Sequence, residues 1–394
     1  MNIERRIAFF TIAMAFLAWM AVKLPMPALP LLGSIFHVSS QVFKISVTLN
    51  LLGFALLQIF WGSLSDHYGR RISMICAFSV TIVGTLMAML AFNATMYVLG
   101  RVIEGFAVGS AAPVGRAMMA DQFSKTTMAR VYGWYAIAAI LPPAIGPVIG
   151  SYLLVYLGWR SIFAFFLILA LLYLIALIHW LPETNQRKLS CFRLQSLVQD
   201  LLDIIKSPKF WMYAVTYALI NGFMIAFYAA MPFWYVQQFH MKETSYAWLA
   251  FFPIGSYIIG SLVVNRFLHR VSFEYLLLLG NVIAILISVI ILIFGMWSHP
   301  TILFVTLFMI GFSVASGVVT PMANASLMAL FRDKVTILSA LLSGMRVGGA
   351  GLLVLVSTNI NVSTYWPLGI YTTLVACSGL LFFLGFWKIS GTQK

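Results

Sequence analysis

GSLSDHYGRR, residues 62–71, is a short polar interruption between two long apolar runs. The run before it, 41–63, and the run after it, 73–92, each reach the length of about 20 residues that a helix needs to cross a bilayer. The interruption specifies a tight link. Gly62 permits close helix contact and Gly69 a sharp turn. Asp66 can pair with Arg70 or Arg71, or sit at a helix N-terminus. A charged hinge joining two apolar helices is how a chain that crosses a membrane repeatedly turns round.

The same pattern extends along the whole chain. It has 394 residues, 62% hydrophobic and only 9% charged, with a mean hydropathy of +0.98. A soluble globular chain carries about a quarter charged residues, so this one cannot cover a water-facing surface. Backbone groups in hydrocarbon must be satisfied internally, by helices or a closed barrel. Continuous apolar runs, rather than alternating strands, select helices. Twelve runs stand at roughly 7–30, 41–63, 73–92, 96–119, 131–156, 161–181, 210–237, 244–268, 274–297, 300–329, 335–358 and 364–388. The expected fold class is an all-α membrane protein of twelve transmembrane helices. The first run, after MNIERR, is too long for a signal-peptide core and is followed by further spans, so no cleavable signal peptide is expected.

Charge orients the spans. With the N-terminus on the cytoplasmic side, seventeen of the 24 basic residues fall inside: Arg5, Arg6, Arg70, Arg71, Lys125, Arg130, Arg187, Lys188, Arg193, Lys206, Lys209, Arg266, Arg270, Arg332, Lys334, Lys388 and Lys394. Three fall outside (Lys44, Arg160, Lys242) and four lie within spans. That bias places both termini inside. It accounts for most of the net charge of +14 without a nucleic-acid partner. The longest polar stretch, 183–209, divides the spans six and six, and LVQDLLDIIK within it has apolar residues at helical spacing. The expected domains are therefore a six-helix bundle at 1–182, a cytoplasmic linker with a short amphipathic helix at 183–209, and a second bundle at 210–394. Two such halves suggest an internal repeat with a substrate site near the midplane.

No enzyme is expected. The six histidines (37, 67, 179, 240, 269, 299) have no acid or cysteine companions at ligand spacing. HExxH and GxxxxGK[ST] are both absent. Cys76, Cys191 and Cys377 lie far apart and read as packing residues. No cofactor or metal is implied. Without a nucleotide-binding loop, pumping must draw on an ion or substrate gradient.

Charge inside the spans carries the functional signal. A charged side chain at the bilayer centre costs roughly 2.5–3.5 kcal/mol on insertion scales and normally faces a bundle interior or a wet cavity. Lys23, Arg101, Arg116 and Arg346 stand within spans, against one deep acid, Glu104. Arg101 and Glu104, three apart, share a helix face and can pair. Glu104 reads either as half of that pair or as a proton site. Lys23 has no acid near it in sequence and could reach Glu104 across two helices. Arg346 lies roughly 11 residues, about 16 Å, from either end of its span, too deep to snorkel; Arg116 is nearer the cytoplasmic side. More buried positive than negative charge calls for an anionic or zwitterionic guest, with Lys23 as an anchor or a titratable amine. Trp19, Asn50, Gln58, Tyr135, Tyr217, Asn221, Tyr228, Tyr257 and Asn324 could also line a cavity. Asn50, Asn221 and Tyr228 are the chosen candidates among them, although such residues commonly bond a neighbouring helix.

The motifs carry a resemblance. GSLSDHYGRR is similar to the signature loop of the major facilitator superfamily, whose role there is a charge latch beside the cytoplasmic gate; GSLVVNRFLHR at 260–270 is a degenerate echo, with Asn265 in place of the acid. Gly146, Pro147 and Gly150 resemble the motif of the antiporter branch. With Arg116, Ala117 and Asp121, the segment FYAAMPF at 227–233, and LPET at 181–184, the chain resembles the Bcr/CflA-type drug exporters. The resemblance implies two pseudo-symmetric six-helix bundles, alternating access, proton-driven efflux of a small molecule, a monomer among membrane lipids, and a bacterial inner membrane. Where that family carries an aspartate in its first helix, VKLPMPALP here places Lys23. A carboxylate metabolite, siderophore or acidic drug is the expected cargo, and proton-linked import or exchange of an anionic chelate is the alternative.

Overall fold

The computed structural model describes residues 3–123, 125–185, 194–249, 251–267, 271–297, 301–331, 334–359 and 366–391. Arg187, Lys188, Arg193, Arg270, Arg332, Lys394, Cys191, His269 and His299 lie outside that set. The regular elements among the described residues are all helical. Eight helical stretches there are long and apolar enough to cross a membrane, and Leu141–Leu157 and Ile370–Gly385 are shorter apolar helical stretches. The surface matches a hydrocarbon solvent. Leu286, Ile293 and Leu303 are 57%, 53% and 69% exposed, while Asn281, Ser288 and Thr372 are fully buried. Polar groups turn inward, where partners can satisfy them.

Among the described residues of the first part of the chain, the first, second and fourth expected spans are interrupted helices. Helix α1, Ile3–Lys23, stops where Pro25 and Pro27 arrive; a 3₁₀ turn at Met26–Ala28 and helix α2, Leu29–Ile35, complete the stretch. The last ordinary helical bond runs from the Leu24 amide to the Met20 carbonyl at 2.9 Å. The next carbonyl, Ala21, faces Pro25, which has no N–H to give. The second span divides into α3, Gln41–Leu56, and α4, Gln58–Tyr68, at Leu57. Gly69 then turns the chain into α5, Arg70–Met89. The fourth span divides into α6, Ala94–Val108, and α7, Ala111–Gln122, around Gly109 and Ser110, just before Pro113. Proline removes a helical amide, and glycine favours the helix least of the other residues. By contrast α8, Lys125–Leu157, runs unbroken through Pro142, Pro143 and Pro147. Helix α9, Trp159–Trp180, closes this part of the chain.

Beyond it come α10, Leu194–Lys206, α11, Pro208–Pro232, a π-helical turn at Phe233–Gln238, and α12, Glu243–Leu249. They are followed by α13, Phe251–Phe267, α14, Phe273–Trp297, α15, Ile302–Leu330, α16, Val335–Asn359, and α17, Trp366–Gly391. The chain forms two compact units, Met1–Leu194 with Ser339–Gly344, and Gln195–Leu338 with Met345–Lys394.

In the first unit α6 packs between α5 and α3, and α1 packs on α8. Backbones meet where side chains vanish. A Cβ at Gly84 would stand 2.6 Å from the Glu104 amide nitrogen, and one at Gly100 2.6 Å from that of Ala88. Small residues at helix interfaces allow this approach in membranes. In the second unit α15 packs on α13 and α14, and α17 on α14 and α11. Helix α10 is tied to the start of α16 through Lys334, whose Nζ donates to Asp200 at 2.9 Å and Asp203 at 2.6 Å.

Candidate functional site

Lys23 closes α1 and is 2% exposed. Its position is made by α8. A Cβ at Gly146 would stand 3.1 Å from the Cβ of Lys23, and one at Gly150 would run into the Leu24 carbonyl. Pro147, between them, is buried. The Gly146–Pro147–Gly150 segment is therefore a seat for the broken end of α1.

The carbonyl that Pro25 leaves without an amide is taken by Arg101. Its Nη1 donates to the Ala21 oxygen at 3.0 Å. The same nitrogen donates to Glu104, one turn along α6. Thr85 on α5 donates to the other Glu104 oxygen at 3.2 Å, and Asn50 on α3 donates to the Arg101 carbonyl at 2.7 Å. Arg101 and Glu104 are 2% and 1% exposed. One arginine thus binds four helices together: α1 at its break, α6, α5 through Glu104, and α3 through its own carbonyl. Removing one partner of a buried ion pair costs about 3–5 kcal/mol, because the other charge stays behind. The expected Arg101–Glu104 pair is present, and both oxygens of Glu104 are engaged. Asn50 bonds a neighbouring helix through its amide nitrogen, while its buried Oδ1 has no partner among the described residues.

In the second unit Asn221, 7% exposed on α11, accepts from Thr320 at 2.7 Å and Ser316 at 3.2 Å, both on α15. Its amide donates to the Tyr217 carbonyl at 3.0 Å. Tyr257 on α13 adjoins Thr320 and lies in the field of Arg346. Arg346 is half-buried at the middle of α16. A Cβ at Gly222 would stand 3.4 Å from the Arg346 carbonyl, so α11 and α16 meet at the backbone there. Tyr228 is half-buried farther along α11. Arg116 stands half-buried on α7, with Nη2 buried and without a partner among the described residues. Lys23, Arg101, Glu104 and Asn50 belong to the first unit with Arg116; Asn221, Tyr228 and Arg346 belong to the second.

The quoted hinge forms a second polar centre in the first unit. Arg70 pairs with Asp66, reaches Asp121 on α7 at 3.0 Å, and donates to Ser65 at 2.7 Å. Of the two arginines considered for Asp66, Arg70 is the partner. Arg71 instead donates to the Ile178 carbonyl at 2.6 Å. Glu183, from LPET after α9, accepts from the backbone amides of Arg70 at 2.8 Å and Arg71 at 3.3 Å. It caps the N-terminus of α5, where the N-cap residue Gly69 has no side chain to do so. Gly69 is required twice: its φ is +104°, and a Cβ there would collide with the Glu183 carboxylate. Thr184 donates to Asp121 at 3.2 Å and Asn185 to the Asp66 carbonyl at 3.0 Å. Gly62 lets α4 approach α7, its missing Cβ lying 3.3 Å from the Cβ of Pro113.

Reading the sequence did not assign Glu183, Thr85, Ser316 or Thr320. The first had a usable signal, an acid directly after an apolar run; the hydroxyls had none, since isolated Ser and Thr are common in membrane helices.

Comparison with known proteins places these features in a family. The family model described as Major Facilitator Superfamily matches residues 11–354. An uncharacterized transporter of Rickettsia felis is 28% identical over 246 residues, 61% of this chain and 60% of that protein. Multidrug resistance protein MdtM of Salmonella typhimurium is 26% identical over 261 residues, 66% of this chain and 63% of its own length. The matches thus span about three-fifths of those relatives. The solved structure of the xylose transporter XylE from E. coli shares the fold, with a TM-score of 0.73 at 15% identity over 98% of both chains.

Proposed function

This chain belongs to the Major Facilitator Superfamily, and from that premise we propose that it is a proton-coupled exporter of small amphipathic anions or zwitterions working by alternating access. Twelve transmembrane helices, with both termini cytoplasmic, lie in a bacterial inner membrane in this reading; the charge distribution of the loops supports that orientation. Two six-helix bundles at 1–182 and 210–394 are joined by the 183–209 linker, and the chain acts as a monomer. The name of the MdtM relative supports export.

The observation that carries the choice of cargo is Lys23, an amine only 2% exposed, seated at the helix break in a chain that places four cations and one deep acid within its spans. A ligand carboxylate would balance that excess of positive charge within the spans. Lys23 is a compact point donor suited to that role. Arg346 has the matching role in the second unit, with Asn221 and Tyr228 as polar and aromatic contacts.

Glu104 is the coupling site in this reading. Protonating it would remove the charge that holds Arg101. That guanidinium also holds the Ala21 carbonyl at the α1 break, so loading a proton would loosen the seat of Lys23. Asp66, Arg70, Arg71 and Glu183 form the latch of the cytoplasmic gate. Gly146, Pro147 and Gly150 keep the α1 break closed against α8.

Proteoliposomes with an imposed pH gradient, given carboxylate and cationic probes side by side, test the proposal. Gradient-driven movement of carboxylates toward the non-cytoplasmic side is expected. Transport of cations alone would overturn the cargo. Accumulation of a carboxylate chelate in the opposite direction would replace export by import.

A further inference from the structure

We propose that the groove between α1, α8 and α9 binds one anionic diacyl phospholipid, with its phosphate on Arg6. The groove has a volume of about 590 Å³ and is lined by Phe9, Phe16, Leu17, Trp134, Leu172 and Tyr173 among other apolar residues. Its one hydroxyl is turned away, since Tyr173 donates to the Phe10 carbonyl at 2.8 Å. Apart from the indole N–H of Trp134 the lining is apolar, and the walls suit an acyl chain.

A second pocket of about 370 Å³ shares Phe9 with the groove and is lined by Arg6, Phe10 and Trp180. The two lie end to end. Arg6, Phe9, Ala13 and Phe16 are three or four residues apart and form one stripe along α1. From Arg6 to Phe16 is ten residues, about 15 Å of helix. That equals the depth of one leaflet, half of a hydrocarbon core of about 30 Å. The basic end coincides with a membrane-surface marker, because Trp180, which closes α9, is 61% exposed. Charge at that end favours an anion. Arg5 adjoins Arg6, His179 adjoins Trp180, and Glu4 is the single acid in the first turn of α1. Basic pockets between membrane helices recognise anionic headgroups in this way. Matched length, a dry wall and a cationic mouth together select a phospholipid over a water-borne ligand. The inference depends only on the chain lying in a bilayer, not on its cargo.

Native mass spectrometry of the purified full chain, reconstituted with phosphatidylglycerol or phosphatidylcholine, tests it. The wild type should retain one tightly bound phosphatidylglycerol and prefer it over phosphatidylcholine. Arg6→Gln should lower that preference about fivefold and leave the fold intact. Ala13→Trp, which fills the groove, should lower retention of both lipids. Equal retention of the two lipids by the wild type, or retention unchanged in both variants, would overturn the proposal.

Discussion

In the first unit the buried guanidinium of Arg101 is fixed by a carboxylate and by a backbone carbonyl that a proline has left without its helical donor. In the second unit Arg346 lies at the middle of a long unbroken helix, and the polar cluster Asn221–Thr320–Ser316 joins two other helices, α11 and α15. Both arginines are cations within apolar runs, and in sequence only Arg101 has an acid at helical pairing distance. Their surroundings separate them. Arg101 is built into the scaffold, because removing it exposes a buried acid and a carbonyl at once. Arg346 stands half-buried on α16, where its charge acts on the Tyr257 hydroxyl of α13. A deep charge marks a constraint, and only its neighbours tell whether that constraint serves the fold or the cargo.

The largest effect should follow from breaking the first arrangement. Arg101→Met leaves Glu104 and the Ala21 carbonyl without their donor and should cost about 3–5 kcal/mol of stability, read as a fall in the midpoint of thermal unfolding in detergent. The double variant Arg101→Met with Glu104→Leu removes both charges and should recover much of that loss, while gradient-driven transport stays absent. Equal stability of single and double variants would remove the ion pair from its place at the centre of this unit. Arg346→Ala sharpens the contrast. It should cost less stability than Arg101→Met and show its effect on the transport of carboxylates, measured in the same proteoliposomes.

A smaller effect is expected at the hinge. Glu183→Gln weakens the cap on α5 and should cost about 0.5–2 kcal/mol, the range for losing a helix cap. Gly69→Ala should cost more than that, since it adds strain at positive φ to a collision with Glu183. Thermal unfolding of the two variants orders them.

The smallest effect concerns α10. The hydrogen bond from Lys334, followed by its charge, holds the Asp203 carboxyl below its ordinary range; the Asp203 and then the Asp200 hydrogen bonds raise the Lys334 ammonium. A lowered carboxyl gives stability that is present above its unfolded value and lost as pH falls through the folded one. A raised amine gives stability that is present below its unfolded value and lost as pH rises through the folded one. The tie between α10 and the start of α16 should therefore hold at neutral pH and loosen below the usual aspartate range and above the usual lysine range. Amide hydrogen exchange in α10, with Lys334→Ala as reference, checks this, and the two should converge at low pH.

Much of the helical content was legible from apolar runs alone, because hydrocarbon leaves so few backbone options. The breaks at Leu57 and at Gly109–Ser110 were not legible, since both lie inside long, predominantly apolar runs and hydropathy is blind to them. The break at Lys23 was announced by Pro25, Pro27 and Pro30. In the candidate site, the spacing of Arg101 and Glu104 gave their pairing directly. The bond from Arg101 to Ala21 joins residues 80 positions apart, and local pattern cannot reach that far. Glu183 is similar: its cap on α5 spans 113 positions. Gly146 and Gly150 were visible as a motif, but only their closeness to Lys23 and Leu24 gives them a physical task.

The most direct test exchanges the sign of one buried charge. Lys23→Asp, reconstituted and compared with wild type and Lys23→Ala, should lose carboxylate transport and gain transport of a cationic probe, with thermal stability near that of Lys23→Ala. Carboxylate transport that continues unchanged in Lys23→Ala and Lys23→Asp would contradict the selection of cargo by the excess of buried positive charge.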